Sequence, residues 1–426
     1  MRKVNKILIG VLSAVILIIS FFGGFAVSSC VNKSNELNWT VGMIYKHYYA
    51  IDPVTGEKIT LTEEDFINAI TYTLLDDYSD YYSPDELTEY EASRQGKTYG
   101  IGVTLQNTGS GVRINSIAWN SPIDKACIAK NIDPVGRVIK SVSDVDGQNL
   151  TIVNDYTEFS SAINRYDKSV LFNINLDGIS DPVTVSREDF TEAYVRYYDN
   201  KNAYVFVSDY GKTPVGEEIN SGKSELPDDT AYIEFKRFNG GASEQFAAVM
   251  QYLKTLGKSK LILDMRSNGG GYMDILTDVA SYLINNNGKN NTLVATAKYK
   301  DGTKSDYSFK SNNYVPLDKL TVIANEYSAS ATECLIGALL TYGDLSKDNL
   351  VITSSTTPTG VNKTYGKGIM QTTFYGPKNN AIKLTTAYIY WPDGTTNIHG
   401  KGIEASLENS VLYEDGFSRA LAVSND

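Results

Sequence analysis

The sequence predicts a multidomain α+β protein with a helical N-terminal unit, a strand-rich middle region and a C-terminal α/β core. Three observations carry that expectation. The 426 residues exceed what one hydrophobic core organises, which points to two to four domains. Apolar periodicity is helical over 36–95, strand-like over 98–190, and alternates between strand and helix from 231 onward. A composition of 42% hydrophobic and 21% charged residues leaves enough apolar surface for a sizeable core.

The first thirty residues form a segment of their own. Arg2, Lys3 and Lys6 precede 7–27, an uncharged and mostly apolar stretch long enough to span a bilayer with its positive flank inside. The same stretch reads as an export signal. Val27, Ser28, Ser29 and Cys30 resemble a bacterial lipobox, in which the cysteine is lipidated after cleavage. Lipoprotein and uncleaved anchor both stand, and either tethers 31–426 outside the cytoplasm, in the cell envelope. Three of the 39 basic residues and none of the 50 acidic ones fall in 1–30, so the body is strongly acidic. That balance argues against a nucleic-acid surface. Three cysteines, Cys30, Cys127 and Cys334, make no disulfide framework, and the latter two read as small buried residues. No CxxC or HExxH spacing occurs, so neither a metal nor another cofactor is expected.

Residues 36–95 read as helices over 41–49, 61–75 and 85–94, separated by turns at 52–56 and 76–84. The acids of the second turn lack EF-hand spacing, so a solvated turn is expected there. Residues 98–190 then run strand, strand, Pro-started short helix, strand, helix, strand, strand. This order resembles a PDZ domain. Tyr99-Gly100-Ile101-Gly102-Val103 is similar to the loop that holds a peptide's C-terminal carboxylate. The run from Ser121 to Ile128 resembles SPAxKAGI, with Cys127 in place of Gly. The resemblance implies a groove that accepts an extended chain as an added strand. Residues 191–230 are rich in Tyr, Gly and Asp, with a hairpin expected at 194–198 and 204–207; a connector or insertion is the default reading.

From 231 to 415 strands at 231–238, 260–265 and 320–324 alternate with helices at 244–256, 274–285 and 334–340. The turn at 325–333, Asn-Glu-Tyr-Ser-Ala-Ser-Ala-Thr-Glu, lies between strand and helix, where free N–H groups favour developing negative charge. Ser330 to Glu333 is also a capping box, so the same residues would start a helix without any chemistry, Glu333 being free to cap or support. A hydroxyl nucleophile needs a base. Only His47 and His399 are available as histidines, one in the helical unit and one in a glycine turn. The other partner for Ser330 is a lysine whose ammonium a low-dielectric site disfavours, and Lys367 sits between Gly366 and Gly368 with Gln371 four residues on. A third turn, Asp264-Met-Arg-Ser-Asn268-Gly269-Gly270-Gly271, lacks phosphate-loop spacing but offers backbone donors for an oxyanion.

Together these segments resemble the carboxy-terminal processing peptidases, or tail-specific proteases, over most of 40–405. Asp264-x-Arg-x-Asn-Gly-Gly-Gly is similar to that family's DxRxNPGG, Ser328-Ala-Ser-Ala-Thr-Glu333 to its SASASE, and Lys363-Thr-Tyr-Gly-Lys-Gly-Ile-Met-Gln371 to its KTFGKGxxQ. The resemblance implies a core of the ClpP/crotonase-like kind, with Ser330 as nucleophile, Lys367 as base and Gln371 as its support. It further implies an oxyanion hole from Ala331 and Gly270, tail capture by Gly100, Ile101, Gly102 and Val103, and no cofactor. Protein substrates with exposed C-termini follow; the oligomeric state stays open. Two departures stand out: Gly269 replaces Pro, and the 37 residues from Ser330 to Lys367 make a longer connection than the family's. Loop length adds little closure entropy. The rival reading is a catalytically silent PDZ scaffold, and a third is a Ser-His hydrolase using His399.

Overall fold

The computed structural model describes residues 34–426 apart from 49, 52–56, 110, 208–214, 290, 312 and 357–359. The expected anchor at 7–27, Cys30 and the turn at 52–56 lie outside them. The chain divides into two compact units, Met1–Leu87 with Gln371–Thr385, and Thr88–Met370 with Thr386–Asp426.

The first unit carries α1 (Ser34–His47), the antiparallel pair β1 (Ala50–Ile51) and β2 (Lys58–Ile59), α2 (Glu63–Leu74) and β3 (Asp80–Tyr82). Thr62 starts α2 through a capping box: its hydroxyl accepts from Asp65 N at 3.2 Å, and Asp65 Oδ2 accepts from Thr62 N at 2.7 Å. Next along the chain is α3 (Pro84–Arg94).

The second unit begins with β4 (Lys97–Gly100), β5 (Val103–Thr108), β6 (Gly111–Ile117), α4 (Pro122–Lys130), β7 (Val138–Asp144), β8 (Thr151–Ile152), α5 (Tyr156–Ile163), β9 (Phe172–Leu176), β10 (Val183–Val185) and β11 (Glu188–Thr191). An antiparallel sheet in the order β10-β9-β7-β6-β5, with β8 beside β7, encloses Val112, Ile114, Ile139, Phe159, Phe172 and Ile174. Strand β5 is its edge, and Asn107 Oδ1 accepts from Tyr156 N at 2.9 Å, fixing the start of α5 to the end of that edge. Residues 100–103 lead into β5. A β-carbon on Gly102, at φ +85°, would come within 2.2 Å of Ser121 Cβ, so the helix start at Ser121 requires glycine there.

The remainder is β12 (Val195–Tyr198), β13 (Asn202–Val207), β14 (Val215–Ser221), β15 (Thr230–Phe235), α6 (Ala242–Thr255), β16 (Lys260–Asp264), α7 (Met273–Leu283), β17 (Thr292–Tyr299), β18 (Lys304–Phe309), β19 (Lys319–Asn325), α8 (Ala331–Tyr342), β20 (Leu350–Ser354), β21 (Ile369–Tyr375), β22 (Ala381–Tyr390), β23 (Ser410–Leu412) and α9 (Gly416–Asn425). Eight strands form one sheet in the order β14-β13-β12-β15-β16-β19-β20-β23, parallel from β15 onward. The connector expected at 191–230 is therefore corrected. Its alternation of Val195, Tyr197, Ala203 and Val205, all buried, makes it three antiparallel strands of the core sheet.

Period-two alternation sorts the central strands onto two faces. Ala231, Ile233, Phe235, Leu261, Leu263, Val322 and Ala324 pack with Phe246, Val249, Leu276 and Leu335 of α6, α7 and α8. Tyr232, Ile262, Ile323 and Val351 face Ala420 and Val423 of α9. A parallel sheet needs both faces covered, and the final helix, unanticipated in the sequence, supplies the second cover. Strands β21 and β22 run through both units: Ala387 to Tyr390 pair onto β17, while Ala381, Ile382 and Lys383 pair with Tyr82, Tyr81 and Asp80. The turn expected at 76–84 is thus partly strand, because its two tyrosines fit a half-buried pleat.

Candidate active site

The carboxyl ends of three adjacent parallel strands deliver the site. β15 leads to Phe238, β16 to the glycine turn at 268–271, and β19 to Ser330 at the start of α8. Ligands of open α/β sheets gather at such ends. Ser330 stands at φ 59°, ψ −118°, a strained backbone for a residue with a β-carbon, and one that turns the chain sharply from strand into helix.

Glu333 connects this elbow to the lysine turn. The residue is fully buried, and its carboxylate accepts four hydrogen bonds: Oε2 from Ser330 N at 3.0 Å and Lys367 N at 2.8 Å, Oε1 from Gly366 N at 2.8 Å and Thr364 Oγ1 at 2.5 Å. One oxygen shared by two donors holds the Ser330 and Lys367 backbones no more than about 6 Å apart. Burial pushes the Glu333 carboxyl above the ordinary glutamate range, against the pull of its four donors. The long connection between serine and lysine therefore does not separate them. Tyr365 N donates to Ser328 O at 3.0 Å, and Gly366, at φ +87°, packs so closely on 401–402 that a β-carbon would meet Gly402 N at 2.8 Å.

The glycine turn closes on the same elbow. A β-carbon on Gly270 would come within 2.8 Å of Ser330 Cβ and of Ala331 N. Ala331 is the first residue of α8, and its N–H has no intrahelical carbonyl to meet. The donor expected from Gly270 needs correction. Its N–H already donates to Asn268 Oδ1 at 3.0 Å, the i to i+2 bond that an Asn side chain makes readily. Gly270 O accepts from Phe238 N at 3.1 Å, and the peptide that follows is trans. A planar trans peptide directs the Gly271 N–H opposite to that carbonyl, away from Phe238.

Asp264 and Arg266, read from the sequence only as motif positions, form a buried pair at 2.5 Å; Arg266 also reaches Tyr413 O, and Tyr232 donates to Asp264 at 2.5 Å. The guanidinium is held further up by Asp264 despite its burial. Gln371 falls in the first unit, where its Nε2 donates to Thr385 Oγ1 at 3.0 Å. His399 donates its backbone N–H to Asn397 Oδ1 and sets its ring edge-on to Tyr388, 5.8 Å between centroids. A β-carbon on Gly368 would meet its backbone at 2.6 Å, so the His399 main chain backs the lysine turn. Among the described residues no group of three or more His, Cys, Asp or Glu could hold a metal ion.

Sequence reasoning did not assign Asn268 a role, nor Glu333 the clamp between serine and lysine turns. The capping-box spacing was the available signal for Glu333; nothing in the sequence showed that the carboxylate reaches residues 364–367.

Residues 229–408 match the model of peptidase family S41. A protein of Staphylococcus epidermidis described as a "probable CtpA-like serine protease" is 24% identical over 400 residues, 90% of this chain and 68% of that protein. One of Staphylococcus haemolyticus with the same description is 28% identical over 79% of this chain and 58% of its own length. The chain thus spans 58% to 68% of these two relatives. Among solved structures, the photosystem II D1 C-terminal processing protease aligns with a TM-score of 0.47 at 19% identity, covering 91% of this chain and 90% of that one.

Proposed function

We propose that residues 229–408, which match the model of peptidase family S41, form a serine-type peptidase core, and that the whole chain is an endopeptidase working through a Ser330–Lys367 dyad. The observation that carries the reading is the single Glu333 oxygen that holds the serine and lysine backbones together. Neutral Lys367 takes the proton from Ser330 Oγ as that oxygen bonds the substrate carbonyl carbon. The tetrahedral oxyanion rests between the N–H groups of Ala331 and Gly271, Gly270 being engaged with Asn268. Lys367 then protonates the leaving amine as the C–N bond breaks, and water releases the acyl group by the reverse exchange. The motif resemblance assigns Gln371 the support of the lysine.

The 98–190 region acts as a PDZ-type receptor. An incoming C-terminus pairs with the free edge of β5 and places its carboxylate at Gly100–Val103, a mode that the edge position of β5 and the α5 start pinned to it support. Substrates are extracytoplasmic proteins with exposed, apolar tails, met by an enzyme tethered through Cys30 or the 7–27 segment. Loss of fatty-acid labelling in Cys30→Ala would assign the lipid tether, and unchanged membrane retention without label the anchor.

The decisive test is a serine-reactive fluorophosphonate probe together with cleavage of a loosely folded protein. Wild type should label and cleave, while Ser330→Ala and Lys367→Ala should do neither and His399→Ala should do both. Cleavage surviving in Ser330→Ala overturns the assignment. A chelator should leave the wild type unaffected.

A further inference from the structure

Asn268 is fully buried, and both ends of its amide are engaged. Oδ1 accepts from Gly270 N at 3.0 Å, and Nδ2 donates to Phe235 O at 2.8 Å, at the end of β15. Its main-chain oxygen accepts from Ala329 N at 3.0 Å and from Thr332 Oγ1 at 2.9 Å, one on each side of Ser330. Its main-chain N–H donates to Met265 O at 3.2 Å. One residue therefore joins the end of β15, the glycine turn and the serine elbow.

The two ends of the glycine turn are tied down, Ser267 N donating to Asn325 Oδ1 at 2.8 Å and Tyr272 N to Phe238 O at 2.8 Å. Ser267 and Gly270 both stand at positive φ, and glycines at 269, 270 and 271 leave the backbone free to adopt many conformations. Two further bonds act on the peptides between those ends. Asn268 Oδ1 fixes the peptide between Gly269 and Gly270 through its N–H; Phe238 N fixes the next peptide through its carbonyl. With both planes set, the direction of the Gly271 N–H is set as well.

We propose that Asn268 is the positioning residue of the oxyanion hole: by holding the Gly270 N–H it aims the Gly271 N–H at the carbonyl that Ser330 attacks. This rests on the peptidase reading above. It also accounts for an amide at 268. A carboxylate would keep the acceptor for Gly270 but lose the donor to Phe235 O, and would place a charge in a fully buried position.

The test compares Asn268→Ala with Asn268→Ser in the full chain. Both lose the Phe235 bond and should lose similar stability, but serine keeps a short acceptor for the Gly270 N–H. Removing an oxyanion donor slows turnover about a hundredfold or more. Asn268→Ala should show that loss in kcat with KM changed less than threefold, and its affinity for a peptide aldehyde, which forms a tetrahedral adduct on Ser330, should fall with kcat. Asn268→Ser should recover about tenfold of the rate at the same melting temperature. If Ala and Ser lose rate equally, or if kcat tracks the melting temperature alone, the residue is only structural and the proposal fails. If Ser330→Ala retains full cleavage, the peptidase reading fails instead, and the two failures are distinct.

Discussion

Two buried carboxylates each join stretches far apart in sequence, and they do it by opposite means. Glu333 is met by three backbone N–H groups and a hydroxyl, so each oxygen has two donors. Asp124, on α4 of the 98–190 region, is met by Arg196 of the core sheet at 2.6 Å and by Asn120 N at 2.8 Å. That second junction is imperfect. Arg196 Nε and Asn120 Oδ1 are both buried without a hydrogen-bond partner among the described residues, while Trp119 takes the Arg196 guanidinium on its ring at 4.5 Å. Lys236 joins them with Ile117 O and Glu192, and burial drives its ammonium below the ordinary lysine range although Glu192 opposes the shift. A buried polar atom left unpaired costs about 1–3 kcal/mol. The Glu333 clamp is thus saturated and fixed, whereas the junction beside the proposed tail receptor holds a local penalty that a rearrangement could relieve.

The sharpest way to break that contrast is Glu333→Gln. One oxygen becomes an NH2 facing two donors, so two hydrogen bonds turn into donor–donor contacts. Stability should fall by about 4 kcal/mol in denaturant titration, and turnover should fall about a hundredfold or more because Lys367 is no longer held to the elbow. Retained turnover in a folded Glu333→Gln protein would mean that the clamp does not position the lysine.

Arg196→Met probes the other site and should have a smaller effect. It leaves Asp124 buried with the Asn120 N–H alone and should cost about 3 kcal/mol; adding Asp124→Asn should return most of that. Cleavage at the serine should change only a few-fold in either variant, since the junction touches none of the reacting groups. If Arg196→Met slows cleavage as much as Glu333→Gln does, the two regions are not separable in the way their hydrogen bonds indicate.

The legibility of the two regions differed for physical reasons. The strand-to-helix elbow at Ser330 and the close backbone approaches at Gly270 and Gly366 were readable because local residue order sets them: small residues at a strand-to-helix turn, glycines where backbones must approach. The strand and helix order of 98–190 was readable from periodicity with its Gly and Pro signals, apart from β8 and β11, which it did not anticipate. The pairing of 195–221 into the core sheet was not, because Tyr-rich strands with turn residues between them look alike whether they pair locally or extend a larger sheet. The donor at Gly270 was misassigned for a related reason: the sequence gives a run of three glycines, and only the Asn268 side-chain bond decides which N–H is already engaged. Glu333 was read as free to cap or support because three of its four donors come from more than thirty residues away.

The smallest predicted effect sharpens the same comparison from the solvent's side. Cys334 lies one residue beyond Glu333 and Cys127 three beyond Asp124; both are free and buried. Burial, and then the neighbouring Glu333, push the Cys334 thiol up to about 12, while burial and Asp124 push Cys127 up to about 11. Thiolate is the reactive form, so at pH 8 both should resist iodoacetamide in the folded chain and react once it is unfolded. The difference between them should appear in the rate. If the junction opens more readily than the clamp, Cys127 is alkylated first in mild denaturant, below the concentration at which catalysis is lost, while Cys334 reacts only as activity disappears. Simultaneous labelling of the two, tracked by peptide mass, would show that the clamp and the junction open as one cooperative unit and that the unpaired atoms at Arg196 and Asn120 confer no local freedom.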